Sequence, residues 1–226
     1  MNSVAWPCPA PGGSGEEFAL VAGPSDAAAR VLIVPALFDE ANRTRRMLAE
    51  TMRVLADAGI ACVLPDLPGC NEGLAPLDAQ DLTSWRAAMV AATDYFSATH
   101  VLSLRGGAVV APLSLPGWRF EPIAGAQVLR PMLRARTVAA REEGRSETMD
   151  GLLEQGRSAG IELAGYRLGA AMVRDLAAAA LPDLSAQAVL NLEDLGGTAL
   201  WLRSEPGEDA ELSAALAARL VAGLTP

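Results

Sequence analysis

The stretch VLSLRGGAVVAP, residues 101–112, is an apolar run that halts at paired glycines and then resumes as a helix-compatible segment. A strand that stops at a sharp turn and opens into a helix is the layout of Gly-x-Ser-x-Gly, which holds a nucleophile at the tip of the turn. Here the five positions read Ser103-Leu104-Arg105-Gly106-Gly107, so a guanidinium stands at the tip.

The segments upstream set this turn in a wider pattern. Residues 30–37 (RVLIVPAL) form a β-branched apolar run, as expected of a strand buried on both faces. A helix follows, with Asn42 or Thr44 as its cap, Met47, Leu48, Met52 and Leu55 on one face and Gly59 at its end. Residues 60–65 read as a second buried strand, 83–98 as a helix packed through Trp85, Met89 and Phe96, and 100–104 as a third strand. Strand-helix alternation at this spacing implies parallel strands with right-handed crossovers, an α/β layered sheet. Ligand sites in such sheets lie beyond the carboxyl ends of the strands. That rule selects residues 37–46, 66–73 and 105–107.

Downstream, residues 120–124 are expected to be a strand, and 126–140, 146–155 and 169–180 helices. Residues 187–192 and 198–203 are expected to be the last two strands, and 210–222 the closing helix. Residues 1–15, rich in Pro, Gly and Ser, read as a flexible lead-in with no signal-peptide pattern, ahead of a single domain over 16–226. Within that domain, about 125–180 reads as a cap-like helical insertion.

Composition narrows the function. The chain has 226 residues, 51% of them apolar, enough for one sizeable core. Its apolar runs are too short for a membrane span, and a cytoplasmic location is expected. A net charge of −9 argues against nucleic acid as a partner. All 18 basic residues are arginine, so neither a Schiff-base lysine nor a phosphate-loop lysine exists here. Three scattered cysteines, Cys8, Cys62 and Cys70, fit reduced thiols, and with one histidine no metal site or cofactor is expected.

Taken together, Phe38-Asp39-Glu40-Ala41-Asn42-Arg43-Thr44-Arg45-Arg46-Met47, Asp66-Leu67-Pro68-Gly69-Cys70, Leu104-Arg105-Gly106-Gly107-Ala108 and Ala164-Gly165-Tyr166-Arg167-Leu168 resemble motifs of the α/β-hydrolase superfamily. Within it they are similar, in the same order, to the second type of exosortase A system-associated hydrolase. The similarity extends over most of residues 30–180, and the first 29 and last 45 residues match loosely. It implies an α/β-hydrolase-like fold, a mostly parallel sheet flanked by helices. It also implies a setting in bacterial exopolysaccharide production and exosortase-linked protein sorting. That family also carries arginine at the elbow tip.

A serine hydrolase needs a nucleophile, a histidine base and an orienting acid. The single histidine, His100, begins the strand that Arg105 ends, about 17 Å away along an extended backbone. The acid position, Glu193 or Asp194, then has no histidine to orient, and the region where this fold keeps its histidine reads Ser204-Glu205-Pro206-Gly207-Glu208. Ser103 reads as a hydrogen-bonded strand serine, and Cys70 as a small loop residue with no basic partner. Arg105 is open to three readings: an ion pair with Asp39, Glu40 or Asp66, recognition of an anion, or electrophilic stabilisation. Arg45 and Arg46 sit early in a helix, where a carboxylate or ligand partner is called for. Arg130, Arg134 and Arg141 form either a basic stripe over the pocket or a solvated face.

The candidate pocket is therefore Phe38, Asp39, Glu40, Asn42, Arg45, Asp66, Cys70, Arg105 and Gly106, with the catalytic residues left open. Three functions compete. The chain is an accessory protein without a triad, binding a small anionic ligand, a glycan or lipid intermediate or a protein partner at the elbow. Alternatively it is a hydrolase or acyltransferase acting on a glycan- or lipid-linked ester through non-standard residues, or a purely structural partner.

Overall fold

In the computed structural model, residues 1–10, 13–183 and 185–224 are described, with 13 and 14 as backbone only. The elements run β1 (Asn2–Ala10), β2 (Gly13–Ala22), β3 (Arg30–Val34), α1 (Asp39–Asp57), β4 (Ala61–Pro65), α2 (Leu82–Tyr95), β5 (His100–Leu104) and β6 (Gly117–Phe120). There follow α3 (Gly125–Glu142), α4 (Met149–Ala159), β7 (Ile161–Leu163), β8 (Tyr166–Leu168), α5 (Ala170–Ala178), β9 (Gln187–Leu190), α6 (Leu192–Leu195) and α7 (Ala210–Leu224).

Among the described residues, seven strands form one sheet in the order β1-β2-β4-β3-β5-β6-β9. The strands expected at 30–37, 60–65 and 100–104 are parallel neighbours, Leu32 pairing with Val63 on one side and with Val101 on the other. β6 and β9 continue the parallel run. Alternation along β3 explains the layers. Val31 and Ile33 face a core shared with Met47, Met52 and Leu55 of α1 and Leu212, Leu216 and Leu220 of α7. Leu32 and Val34 face the opposite core, with Trp85 and Met89 of α2, Leu129 and Met132 of α3, and Met172 and Leu176 of α5. A period of two thus buries both faces of a parallel strand. No helix among the described residues is long and apolar enough to cross a membrane.

Four sequence expectations are corrected. The described residues of the lead-in over 1–15 are not a flexible segment: β1 and β2 form an antiparallel hairpin on the sheet edge, with Trp6 and Cys8 buried in the core. Pro11 and Gly12 of that segment lie outside the described residues. Pro7 and Pro9 are tolerated because β1 is an edge strand, where missing N–H donors cost little. Residues 198–203 form no strand. Leu200 and Trp201 are adjacent and both buried in a 3-10 turn while Leu202 is 77% exposed, a pattern with no period of two. The strand placed at 120–124 is β6, ending at Phe120, which leaves Glu121 beyond its carboxyl end. The helical reading of 125–180 omits the antiparallel β7–β8 hairpin, which turns at Ala164 and Gly165 with positive φ.

Candidate functional site

The carboxyl edge of the sheet gathers the loops after β3, β4, β5 and β6. β3 is followed by Pro35-Ala36-Leu37-Phe38, and α1 starts directly after Phe38, whose φ is 54°. Asn42 and Thr44 therefore lie inside α1 and do not cap it; the Thr44 hydroxyl donates to the carbonyl of Glu40 at 2.7 Å. The acidic pair Asp39 and Glu40 occupies the first turn, where the helix dipole favours negative charge.

Arg105 occupies the elbow tip with φ 50°, the left-handed backbone of a tight strand-to-helix turn, and a 3-10 helix over Arg105–Val109 follows. The next glycines are required sterically: a Cβ on Gly106 would press on Val128, and one on Gly107 would collide with the Pro35 carbonyl. The guanidinium points back across the loops. Its Nε donates to Glu40 Oε2 at 3.1 Å, Nη2 to Glu40 Oε1 at 3.3 Å and Nη1 to the Glu121 carbonyl at 3.2 Å. The Glu121 carboxylate stands 3.9 Å from Nη1, and the Trp201 ring centroid lies 4.6 Å from the guanidinium carbon. Two carboxylates, one carbonyl and an aromatic face thus surround one cation. Of the partners expected for Arg105, Glu40 takes it, while Asp39 faces Arg43 at 3.7 Å and Asp66 faces Arg45 at 3.0 Å.

Two cavities open on this edge and share Phe38 as a wall. The first, of about 220 Å³, is lined by Leu37, Val128, Met132 and Trp201 with Glu40 and Arg43 at its margin. The second, of about 260 Å³, is lined by Asn42, Leu67, Cys70, Asn71 and Tyr166. Phe38 is buried, packing against Trp85 at 5.7 Å and edge-on to Tyr166 at 5.2 Å. Tyr166, on β8, brings the β7–β8 hairpin to the site and accepts from Asn42 at 3.5 Å. Burial and the neighbouring Asp39 push its phenol up to about 12.

The sequence-predicted residues thus converge on one edge but divide into two groups. Arg105, Glu40 and Gly106 belong to the first cavity's side, and Asn42, Cys70, Asp66 and Arg45 to the second. Asp66 is buried, accepting from Arg45 and, at 2.6 Å, from Asn71. Burial, with the charges of Asp66 and Glu17, pushes the Cys70 thiol up to about 12, far from a thiolate nucleophile at neutral pH. Ser103 is fully buried, and among the described residues its hydroxyl has no hydrogen-bond partner. His100 sits at the opposite end of β5, in register with Val31, stacked on Trp118 at 6.0 Å. Asp194 caps its own short helix through Asn191. Arg130, Arg134 and Arg141 are exposed on α3, and Arg46 pairs with Glu50 and Glu208.

Sequence reasoning missed Glu121, Trp201, Tyr166 and Val128. Glu121 was accessible to the carboxyl-end rule once β6 is ended at Phe120. Trp201 was hidden by the false strand over 198–203.

No protein-family model and no curated protein matches the sequence. Solved structures do resemble the fold. Est1E from Butyrivibrio proteoclasticus with ferulic acid bound is 14% identical, with a TM-score of 0.53 over 78% of this chain and 74% of that one. A second structure of Est1E from Butyrivibrio proteoclasticus gives the same identity and TM-score over 83% and 76%. A malate-bound thermophilic esterase from Thermogutta terrifontis is 17% identical, with a TM-score of 0.52 over 84% and 80%. At such identities the likeness is one of fold: the chain has an α/β-hydrolase fold, a mostly parallel sheet flanked by helices.

Proposed function

We propose that this α/β-hydrolase-fold protein is a non-catalytic accessory protein that binds at its elbow pocket, in the cytoplasm, within an exopolysaccharide and exosortase A system. The observation that carries the reading is the elbow itself. Where a hydrolase of this fold holds its nucleophile, Arg105 is clamped by Glu40 and Glu121, and the single histidine lies at the far end of the same strand. Hydrolysis by a Ser-His-Asp triad has no base at this site.

The pocket's chemistry bears on the ligand. Arg105 carries compensating carboxylates inside the fold, so an anion at the tip has to displace Glu40 to reach it. The cavity beside it is mostly apolar, walled by Leu37, Phe38, Val128, Met132 and Trp201, with Asp39, Glu40 and Arg43 at its margin. An acyl or other apolar portion of a glycan- or lipid-linked intermediate suits that wall, with burial of apolar area as the driving force. The setting rests on the resemblance of the four motifs over residues 30–180. The competing reading, acyl transfer through unorthodox residues, loses support because Cys70 keeps its proton and Ser103 has no base within hydrogen-bonding distance.

The test is direct. The purified chain is expected to hydrolyse p-nitrophenyl acetate and butyrate at the buffer rate and to resist labelling by a fluorophosphonate. Stoichiometric labelling of any serine, or turnover that disappears on substitution of Ser103 or Cys70, would overturn the non-catalytic reading.

A further inference from the structure

A cavity of about 390 Å³ lies apart from the elbow, between the β1–β2 hairpin (Cys8, Glu16, Glu17) and residues 74–80 (Leu74, Ala75, Gln80). We propose that it binds a small organic cation, an alkylammonium or alkylguanidinium, whose N–H groups meet the Glu17 carboxylate and whose stem covers Leu74 and Ala75.

Glu17 carries the argument. β2 runs antiparallel to β4, and the Asp66 amide donates to the Phe18 carbonyl, so the strand extends past the end of β4 and delivers Glu17 beneath the loop over 66–73. There the residue is only 3% exposed, and among the described residues its Oε2 has no hydrogen-bond partner. A Cβ on Gly73 would collide with that oxygen, so a glycine at this point gives the carboxyl its room. A buried carboxylate without donors is costly, and such a group calls for a partner. Trp6, opposite Glu17 on β1, has an indole N–H that makes no hydrogen bond to it among the described residues, and the other polar neighbours are already committed. Gln80 donates to the Pro76 carbonyl and accepts from Ser84, and the Cys8 thiol donates to the Pro9 carbonyl. Asp66 has its own donors in Arg45 and Asn71.

The sign of the ligand follows from what surrounds the carboxyl. Glu16 stands at the rim, Asp66 is close enough to repel the Glu17 charge, and no basic residue lines the cavity among the described residues. Cys8 on β1 and Cys70 in the loop after β4 are the other titratable neighbours, both with thiols raised by burial and so neutral. Burial, then Asp66, pushes Glu17 itself up to about 7. A cation supplies donors and compensating charge at once, and its binding drives the proton off Glu17.

The experiment is calorimetric titration of the full chain with n-butylammonium and n-butylguanidinium chloride, with n-butanol and butyrate as controls. One cation site is expected, with affinity rising at least about tenfold from about pH 5.5 to about pH 8 as Glu17 ionises. Below neutrality, binding should release a proton, read as a dependence of the heat on buffer ionisation. Glu17→Gln should weaken binding at least about tenfold. Ala75→Leu, which narrows the cavity and leaves Glu17 in place, should do the same and guards against a folding defect in the first variant. Failure of both cations to bind, equal binding of butanol, or unchanged cation affinity in Glu17→Gln overturns the proposal. None of these outcomes bears on the elbow, whose esterase test is separate.

Discussion

Arg105 and Glu40 meet through two parallel contacts, Nε to Oε2 at 3.1 Å and Nη2 to Oε1 at 3.3 Å, with side chains only 12% and 20% exposed. The elbow of β5 and the first turn of α1 are thereby tied across the edge of the sheet where a ligand would enter. A planar fork is needed for such a pair, so the contact is specific to arginine. The charge at the elbow tip is spent on the fold.

Replacing Arg105 with serine recreates the tip of a Gly-x-Ser-x-Gly turn in outline, yet it should produce no esterase, because no histidine lies near it. The expected effect is on stability. Glu40 is left without its partner, and unfolding in urea should show a loss of about 2 to 3 kcal/mol, the low end for a pair that is not fully buried. Arg105→Met combined with Glu40→Leu should recover most of that loss, since replacing both members of such a pair with apolar groups is often neutral. A single variant as stable as the parent would show that the pair contributes nothing.

Gly107 and Gly144 provide a steric contrast. An alanine at Gly107 has its Cβ driven into the Pro35 carbonyl, and the backbone there cannot yield. Gly144 has a φ of 76° and open space around it. Gly107→Ala should therefore cost more than about 2 kcal/mol and broaden the unfolding transition, whereas Gly144→Ala should cost only the left-handed backbone penalty of about 1 kcal/mol. Equal melting temperatures for the two variants would contradict the close approach of the elbow to the loop after β3.

Trp6 tests the edge hairpin. It is 1% exposed and packs at 5.8 Å from Phe96 and 6.1 Å from Tyr95, so its truncation to alanine should cost about 3 to 5 kcal/mol. A chain beginning at residue 16 should lose cooperative unfolding for the same reason. Thermal melts followed by near-ultraviolet circular dichroism decide the point: an undisturbed transition in the shortened chain would return residues 1–15 to the status of a dispensable lead.

That hairpin also shows where the sequence stops being legible. The central strands were readable because continuous Val, Ile and Leu runs between helical segments have few alternatives to a two-sided buried strand, and the carboxyl-end rule then placed Phe38, Asp66 and Arg105 on one edge. The edge strand was not, because Pro7 and Pro9 read as breakers, although an edge position asks little of their backbone. Likewise the cap assigned to Asn42 failed because α1 starts one residue after Phe38, in a left-handed conformation that no residue preference reveals. The partner of Arg105 was among three carboxylates adjacent in sequence or loop. Only the direction of the side chains, with Asp39 toward Arg43 and Asp66 toward Arg45, singles out Glu40.

Glu17 makes stability depend on pH in a direction opposite to that of a salt-bridged acid. Its ordinary value is 4.5 and its folded value about 7, raised first by burial and then by Asp66. Between those two values the folded chain holds a proton that the unfolded chain has released, so stability falls as pH rises through this window and levels off above it. The loss is on the order of 3 kcal/mol, as a shift of this size implies for a group almost wholly removed from water. Glutamine mimics the protonated acid at every pH. Glu17→Gln should therefore match the parent near pH 4.5 and exceed it by on the order of 3 kcal/mol near pH 8, with the difference opening between. Taking the difference between the two proteins cancels the acid sensitivity of the other carboxylates, which acts with the opposite slope. Urea midpoints at half-unit steps of pH measure it. A constant difference across the range would mean that Glu17 binds protons alike in the folded and unfolded chain, and one that opens on the acidic side would mean that its folded value is lowered and that it has a partner in solution.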